Sequence, residues 1–409
     1  MARTVRAIVV GVLSVAAVWM GGAIVAPVGS AGDTPMEVDV PRDAAGWARL
    51  ALEDIRRATV TGDPAFYREA DRAVERAVAL GPADPDVLLA VAELAASRHD
   101  LRGALAAGRR VLRVAPWDPA AHGIVGDALV ELGRYEAGFA SFQRMVDLRP
   151  DTASLARISY ARELVGDVAG AIRAMRAAAT FAGTRAIASW TRSHLGSLHL
   201  IEGRVGAARR AFRAAARLDP SAVEPLAGLA ATAAARGDLG AARRLAEEAV
   251  ARNPGPADAI LVGDLASLAG DDAAAREAYT VARQGFRRLQ AGGVDVDLEL
   301  ALFEADHGDP RAALVAARSS WEDRRSVAAA DALAWALHAS GRDALAARSA
   351  RRARSIGTRE GSFLFHAGLI ERALGHDETA TALLRRALAA DPWFSILGPS
   401  ELGRALRAI

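Results

Sequence analysis

The chain has no cysteine and no lysine. Without cysteine there are no disulfides, no thiolate metal sites and no lipid-modified N-terminal cysteine. Exported and cytosolic proteins can both lack it, so the redox compartment stays open. Without lysine there is no phosphate loop of the nucleotide-binding type, whose lysine reaches the phosphates. All 51 basic residues of the 409 are therefore arginine, and the formal net charge is only +2. So small an excess gives no strong field toward nucleic acid. Asparagine occurs once, at Asn253, and aromatics make up 5% of the chain.

Catalytic patterns are absent as well. The eight histidines, His99, His122, His194, His199, His307, His338, His366 and His376, form no zinc-protease spacing with a glutamate. His194 and His199 stand five apart and do not share a helix face. No glycine–serine elbow of the hydrolase type occurs. Acidic patches such as Gly270-Asp271-Asp272 fall at helix starts, where carboxylates cap free N–H groups and favour the dipole. Arg209, Arg213 and Arg217 share one stripe, as do Arg351 and Arg354. Acids such as Glu247 and Glu248 are interspersed among such arginines, the pattern of a solvated face. The sequence therefore predicts no enzyme, no cofactor, no metal and no nucleic-acid partner.

What is present is a repeat. Ala121–Pro150 reads as two amphipathic helices joined at Gly133-Arg134 and closed by Pro150. Ile124, Leu129 and Leu132 make one face sticky; Phe139, Phe142, Met145 and Leu148 do the same for the other. Gly126 and Gly138 let the two axes approach to about 8–10 Å. Equivalent turn residues recur at Gly62, His99, Gly133, Gly166, Gly203, Gly237, Gly270, Gly308, Gly341 and Gly375, spaced 33 to 38 residues apart. From the second unit onward, seven residues before each turn stand Ala92, Gly126, Ser159, Gly196, Ala230, Gly263, Ala301, Ala334 and Gly368. Five residues after it stand Ala104, Gly138, Ala171, Ala208, Ala242, Ala275, Ala313, Ala346 and Ala380. Prolines close units at Pro82, Pro116, Pro150, Pro220, Pro254 and Pro392.

At these residues the chain resembles the tetratricopeptide repeat family, whose unit is a helix–turn–helix of about 34 residues. The resemblance covers Asp43 to about Pro392. It implies an all-α fold, a right-handed superhelix of ten hairpins with first helices on the concave side. Val294–Arg342 is also similar to a pattern of exported bacterial repeat proteins of unassigned role. The first turn, in TGDPAFYREA, reads about three residues too long, and the seventh unit's second helix reads as running on through VARQGFRRLQ.

Residues 1–31 read as a targeting segment. Arg3 and Arg6 precede an uncharged run from Ala7 to Gly32, long enough to span a bilayer. Gly29 and Ala31 also fit a small-x-small cleavage site, so both a cleaved signal and a retained transmembrane anchor stay open. Either way the arginines before the run, with Asp33, Glu37 and Asp39 after it, predict repeats outside the cytoplasm. Residues 32–42 form a linker, 43–392 the repeats, and 393–409 a C-terminal cap with a short helix from about Glu401.

The family's clamp for C-terminal acidic peptides uses lysines and asparagines, and this chain has no lysine and only one asparagine, Asn253, between units. Its inward positions instead read Glu93, Asp127, Tyr160 with Glu163, Ser197 and Asp264, then turn apolar and aromatic. Leu298 and Leu302 in the eighth unit line up with Asp331, Trp335 and His338 in the ninth. Phe365, Leu369 and Arg372 follow in the tenth. This stripe lies beside the packing stripe at about 100° per residue. One expectation is a groove for an amphipathic helix or apolar peptide anchored on Trp335. The competing one is that the tail at Trp393, Phe394 and Ile396 covers the stripe, or that it seals unit to unit. The function implied is an exported protein-interaction scaffold, or else a non-catalytic regulatory or assembly subunit of a cell-envelope complex. The membrane is a partner if the N-terminal segment is retained, and the oligomeric state is left open.

Overall fold

The computed structural model describes residues 41–407. The expected targeting segment and most of the linker lie outside these residues. Among the described residues there are 21 helices and no strand, and no helix is long and apolar enough to cross a membrane. Twenty of the helices form ten antiparallel hairpins. Hairpins 1 to 5 are Ala44–Thr61 with Ala65–Leu80, Pro85–Ser97 with Leu101–Val114, Pro119–Glu131 with Tyr135–Leu148, Thr152–Leu164 with Val168–Thr180, and Arg185–Ile201 with Val205–Leu218. Hairpins 6 to 10 are Glu224–Ala234 with Leu239–Arg252, Pro256–Leu268 with Asp272–Ala291, Asp297–His307 with Pro310–Asp323, Val327–Ala339 with Asp343–Ala353, and Gly361–Ala373 with Asp377–Ala390. A last helix, Gly398–Arg407, follows.

The small columns mark where the two helices of a hairpin cross. A Cβ placed on Gly126 would stand 2.5 Å from the Phe142 ring, and one on Gly263 would stand 2.3 Å from Tyr279. Ala104, Ala171, Ala208, Ala242, Ala313, Ala346 and Ala380 are all buried at the same crossing. Ser159 keeps its place there by donating its hydroxyl to the Ala171 carbonyl at 2.9 Å. The large neighbours of each small residue thus interlock into one core per hairpin.

Nine of the ten turn residues have positive φ, including His99 at 63°. The exception is Gly308, at φ −137°. There Pro310 follows, Asp309 is held extended, and Glu304 reaches round to accept the Asp309 N–H at 3.0 Å. The expected long first turn is corrected. Three residues separate its helices, as in the second and third hairpins, and the surplus is taken up in a 16-residue second helix, two longer than theirs. The seventh second helix does run on, to 20 residues. The C-terminal helix begins at Gly398, with Pro399 in its first turn, three residues before the expected Glu401.

The ten hairpins coil back on themselves. The turn inside each of the first five meets the loop that follows the hairpin five places later. Gly62 faces Asn253, Gly133 faces the Arg325 carbonyl, Gly166 faces Arg359, and Gly203 faces Pro392. His99 Nδ1 lies 2.7 Å from the Asp295 carbonyl, 196 residues away. Val327 N–H donates to the Tyr135 hydroxyl at 2.6 Å, across 192 residues. Arg325 N–H donates to the Glu131 carbonyl at 2.9 Å. This seam closes the coil along its side and leaves two free ends. The turns at Gly237, Gly270, Gly341 and Gly375 form one of them; a Cβ there would meet nothing within 4 Å. The loops after hairpins 1 to 5 form the other.

Gly126→Val should cost about 1–3 kcal/mol of stability, because its side chain has to enter the space of the Phe142 ring. Urea unfolding followed by circular dichroism measures it; an unchanged midpoint would mean the helices do not cross there.

Candidate functional site

The inner wall is built from the first helices, and its two halves differ. In hairpins 8 to 10 it is aromatic. The Trp335 ring stacks on His366 at 4.1 Å and 11°, and on His338 at 5.0 Å and 26°. Its Nε1–H donates to Asp306 Oδ1 at 2.6 Å. Asp331 Oδ2 lies 2.8 Å from His366 Nδ1, and Phe365 packs on Phe394 of the tail at 5.3 Å. His338 Nδ1 lies 2.5 Å from Asp343, and burial holds its imidazole below the usual range. Arg372 is among the charges near that imidazole.

The predicted stripe is therefore brought together, but not as an open groove. Leu298, Asp331, Trp335, Phe365 and Leu369 are buried, with Trp335 at 1% exposure. Leu302, His338 and Arg372 are half-buried. The expectation of Trp335 as an exposed anchor is corrected for two physical reasons. Neighbouring first helices press against one another, so a side chain beside the packing stripe of one hairpin fills the crevice to the next. The tail then covers the rest: Phe394 and Leu402 join the same core, and Ile396 packs against the cores of hairpins 6 and 7.

In hairpins 2 to 4 the wall is polar. Arg157, 5% exposed, donates to Asp127 through Nε at 3.0 Å and Nη2 at 2.7 Å. Tyr160 donates its hydroxyl to Glu131 at 3.3 Å. Arg324 reaches this wall across the seam. It is wholly buried, 3.7 Å from Glu131 and 3.5 Å from Asp295. The carboxylate oxygens of Glu299 are buried close to Arg324. Burial pushes the carboxyls of Glu93 and Glu299 up to about 7, and that of Glu163 up to about 8 with Glu360 adding repulsion. Further round the wall, Tyr279 donates to the buried Asp264 at 2.9 Å, and Asp264 is raised well above the carboxylate range by that burial. Ser197 donates to the Ser193 carbonyl of its own helix at 3.3 Å.

Sequence reasoning found Glu93, Asp127, Tyr160, Glu163 and Asp264 on this wall. It missed Glu131, Arg157, Glu299 and Arg324. For Arg157 a signal existed: it stands 30 residues from Asp127, close to one repeat period. For Arg324 the same spacing existed toward Asp295, 29 residues away, but nothing pointed to Glu131, which comes from the other side of the seam. Among the described residues no group of three potential ligands could hold a metal ion.

No protein-family profile matches the sequence, and no curated protein does. Solved structures do overlay on parts of it. A chain of the APC/C hetero-tetramer Cut9-Hcn1 aligns at 16% identity and TM-score 0.42, over 87% of this chain and 63% of that one. The chain thus spans less than two thirds of that relative. PilW, a type IV pilus biogenesis factor, aligns at 18% identity and TM-score 0.42, over 51% of this chain and 97% of its own. A thermophilic tetratricopeptide-repeat protein of Thermus thermophilus aligns at 20% identity and TM-score 0.39, over 44% of this chain and 98% of its own.

Two outcomes follow from the wall. Trp335→Ala should lower stability by about 3–5 kcal/mol, the range for emptying a buried aromatic site. A thermal melt that barely moves would return Trp335 to the surface. The second outcome concerns pH. Between pH 6.5 and 8.5 the carboxyls of Glu93, Glu163 and Glu299 are ionised in the unfolded chain, from an ordinary value of 4.5, yet still partly protonated in the folded one. The folded state then binds more protons, and stability falls as pH rises. His99 and His194, lowered by burial to about 4 and 3, are neutral in the folded chain but part-protonated in the unfolded one at the acid edge of the window, where they oppose the decline; above about pH 7.5 that opposition has gone. Glu163→Gln should flatten the decline in chemical melts across the window; an unchanged slope would show that Glu163 ionises freely.

The hairpin, its small-residue crossings and its period of about 34 residues make the chain a tetratricopeptide-like helical-repeat protein.

Proposed function

We propose that the chain is a non-catalytic scaffold for protein partners, exported and held outside the cytoplasm by its N-terminal segment or released there by cleavage. The observation that carries the scaffold reading is the continuity of the solenoid. Hairpins run from Ala44 to Ala390 without an inserted domain. An uninterrupted run of hairpins leaves long outer faces and two free ends, which suits binding. Tetratricopeptide-like folds are compatible with many roles, so the role rests on surfaces and not on the fold alone. The export reading rests on the charge asymmetry about the apolar run of residues 7–32.

One experiment tests both parts. A single cysteine introduced by Glu378→Cys is treated with a membrane-impermeant maleimide in intact and lysed cells. The same cells are cross-linked through carboxyl groups, since amine-reactive reagents find no lysine, and the captured chains are identified by mass spectrometry. Labelling in intact cells with several captured partners is the expected result. Labelling only after lysis overturns export. Self-cross-links alone overturn the scaffold in favour of an assembly part, and a single stoichiometric partner favours a dedicated subunit.

A further inference from the structure

The loop end of the coil is the candidate that carries an inference. Because the turns of hairpins 1 to 5 point along the coil toward hairpins 6 to 10, the loops after them point the opposite way and make a rim. That rim carries large apolar side chains in water. Leu80 is 57% exposed, Val114 49%, Trp117 69% and Phe181 49%, at the ends of the second helices of hairpins 1, 2 and 4. Helix packing needs none of them. The rim carboxylates are turned inward as helix caps: Asp84 accepts the Asp86 N–H at 2.9 Å, Asp118 that of Ala121 at 2.9 Å, and Asp151 that of Ser154 at 2.9 Å. Asp86 itself stays exposed, as do Arg113 and Arg149.

A second observation bears on the occupant of this rim. The described chain begins there. The first helix starts beside the loop that follows hairpin 1, so that a Cβ on Gly81 would stand 2.8 Å from that of Ala44. Between the apolar run and this point lie only the residues Asp33 to Arg42. Ten residues reach at most about 35 Å even when fully extended, and less when relaxed. The tether therefore enters the coil at its rim end and is no longer than about 35 Å. Tryptophan and phenylalanine with arginine nearby are the side chains that settle at the headgroup level of a bilayer.

We propose that the rim formed by Leu80, Val114, Trp117 and Phe181 is a membrane-docking surface, which seats the open end of the coil on the lipid bilayer. This rests on the first of the two export routes proposed above, in which residues 7–32 are retained as an anchor. Insertion of apolar side chains and not charge drives the contact, because acids and arginines are mixed along the rim. The opposite end, at Gly341 and Gly375, then faces away from the membrane.

The absence of cysteine gives a clean test. Gly183 lies in the rim loop after hairpin 4 with nothing within 4 Å of a Cβ, so Gly183→Cys is tolerated and provides one fluorophore site. Glu378→Cys provides the matching site at the far end. The full-length chain is reconstituted into vesicles of phosphatidylcholine and phosphatidylglycerol containing a lipid with a quencher at the headgroup–acyl boundary. The expected result is flotation with the vesicles, quenching of roughly threefold or more at position 183, and none at 378. Adding Trp117→Ser and Phe181→Ser should restore most of the emission at 183 without loss of flotation. Flotation with both sites unquenched overturns the docking surface and leaves the anchor standing, as it would if a second copy or another protein covered the rim. Failure to float overturns the anchor and the docking surface together.

Discussion

Everything in this chain depends on how closely the two helices of each hairpin can approach. Where they cross, one residue has to be small on each side: Gly126 lies under the Phe142 ring and Gly263 under Tyr279. That closeness makes each unit thin. Thin units stacked with a constant rotation give a tight coil, and five hairpins suffice to bring the chain back over its own start. A bulkier crossing would thicken every unit and separate the turns of the coil. The seam, the filled inner wall of hairpins 8 to 10 and the two free ends all descend from the same steric limit.

The seam changes the chemistry of the inner wall. Carboxyls that would sit in solvent on an open solenoid are enclosed. Arg157 answers Asp127 at close range, whereas Arg324 stands no nearer than 3.5 Å to Asp295 or 3.7 Å to Glu131. Two arginines face many carboxylates there, and burial raises Glu93, Glu163 and Glu299 until they hold part of their protons at neutral pH. Burial of this kind usually costs stability. Here the large apolar cluster that runs from Val130 through Trp335 to Leu402 accompanies it and offsets the cost.

Much of the fold was legible because it is local. The columns of small residues, the turn positions and the closing prolines each repeat within a window the length of one unit, and nine of ten turns took the left-handed conformation where the pattern placed them. Gly308 departed because Pro310, just beyond it, dictates the backbone instead. The first hairpin was misjudged because counting residues between columns cannot say whether surplus ones join a turn or a helix. The candidate site was harder to read. A helical wheel shows Trp335 beside its packing stripe, but whether that direction is open depends on the next hairpin and on the tail. The pairing of Tyr135 with Val327 leaves no periodic trace at all, because contacts 192 residues apart are set by the pitch of the coil.

Open solenoids gain and lose units readily, because each unit knows only its neighbours. A coil with a seam is not free in that way. Insert one hairpin between the fifth and the sixth, and the turn at Gly133 no longer arrives at Arg325, nor Gly166 at Arg359, nor His99 at Asp295. Every join on the seam is shifted together by one place. The number of repeats in this chain is thus part of its architecture in the way that a ring has a fixed number of segments, and duplication, the ordinary route by which repeat proteins lengthen, is closed to its middle.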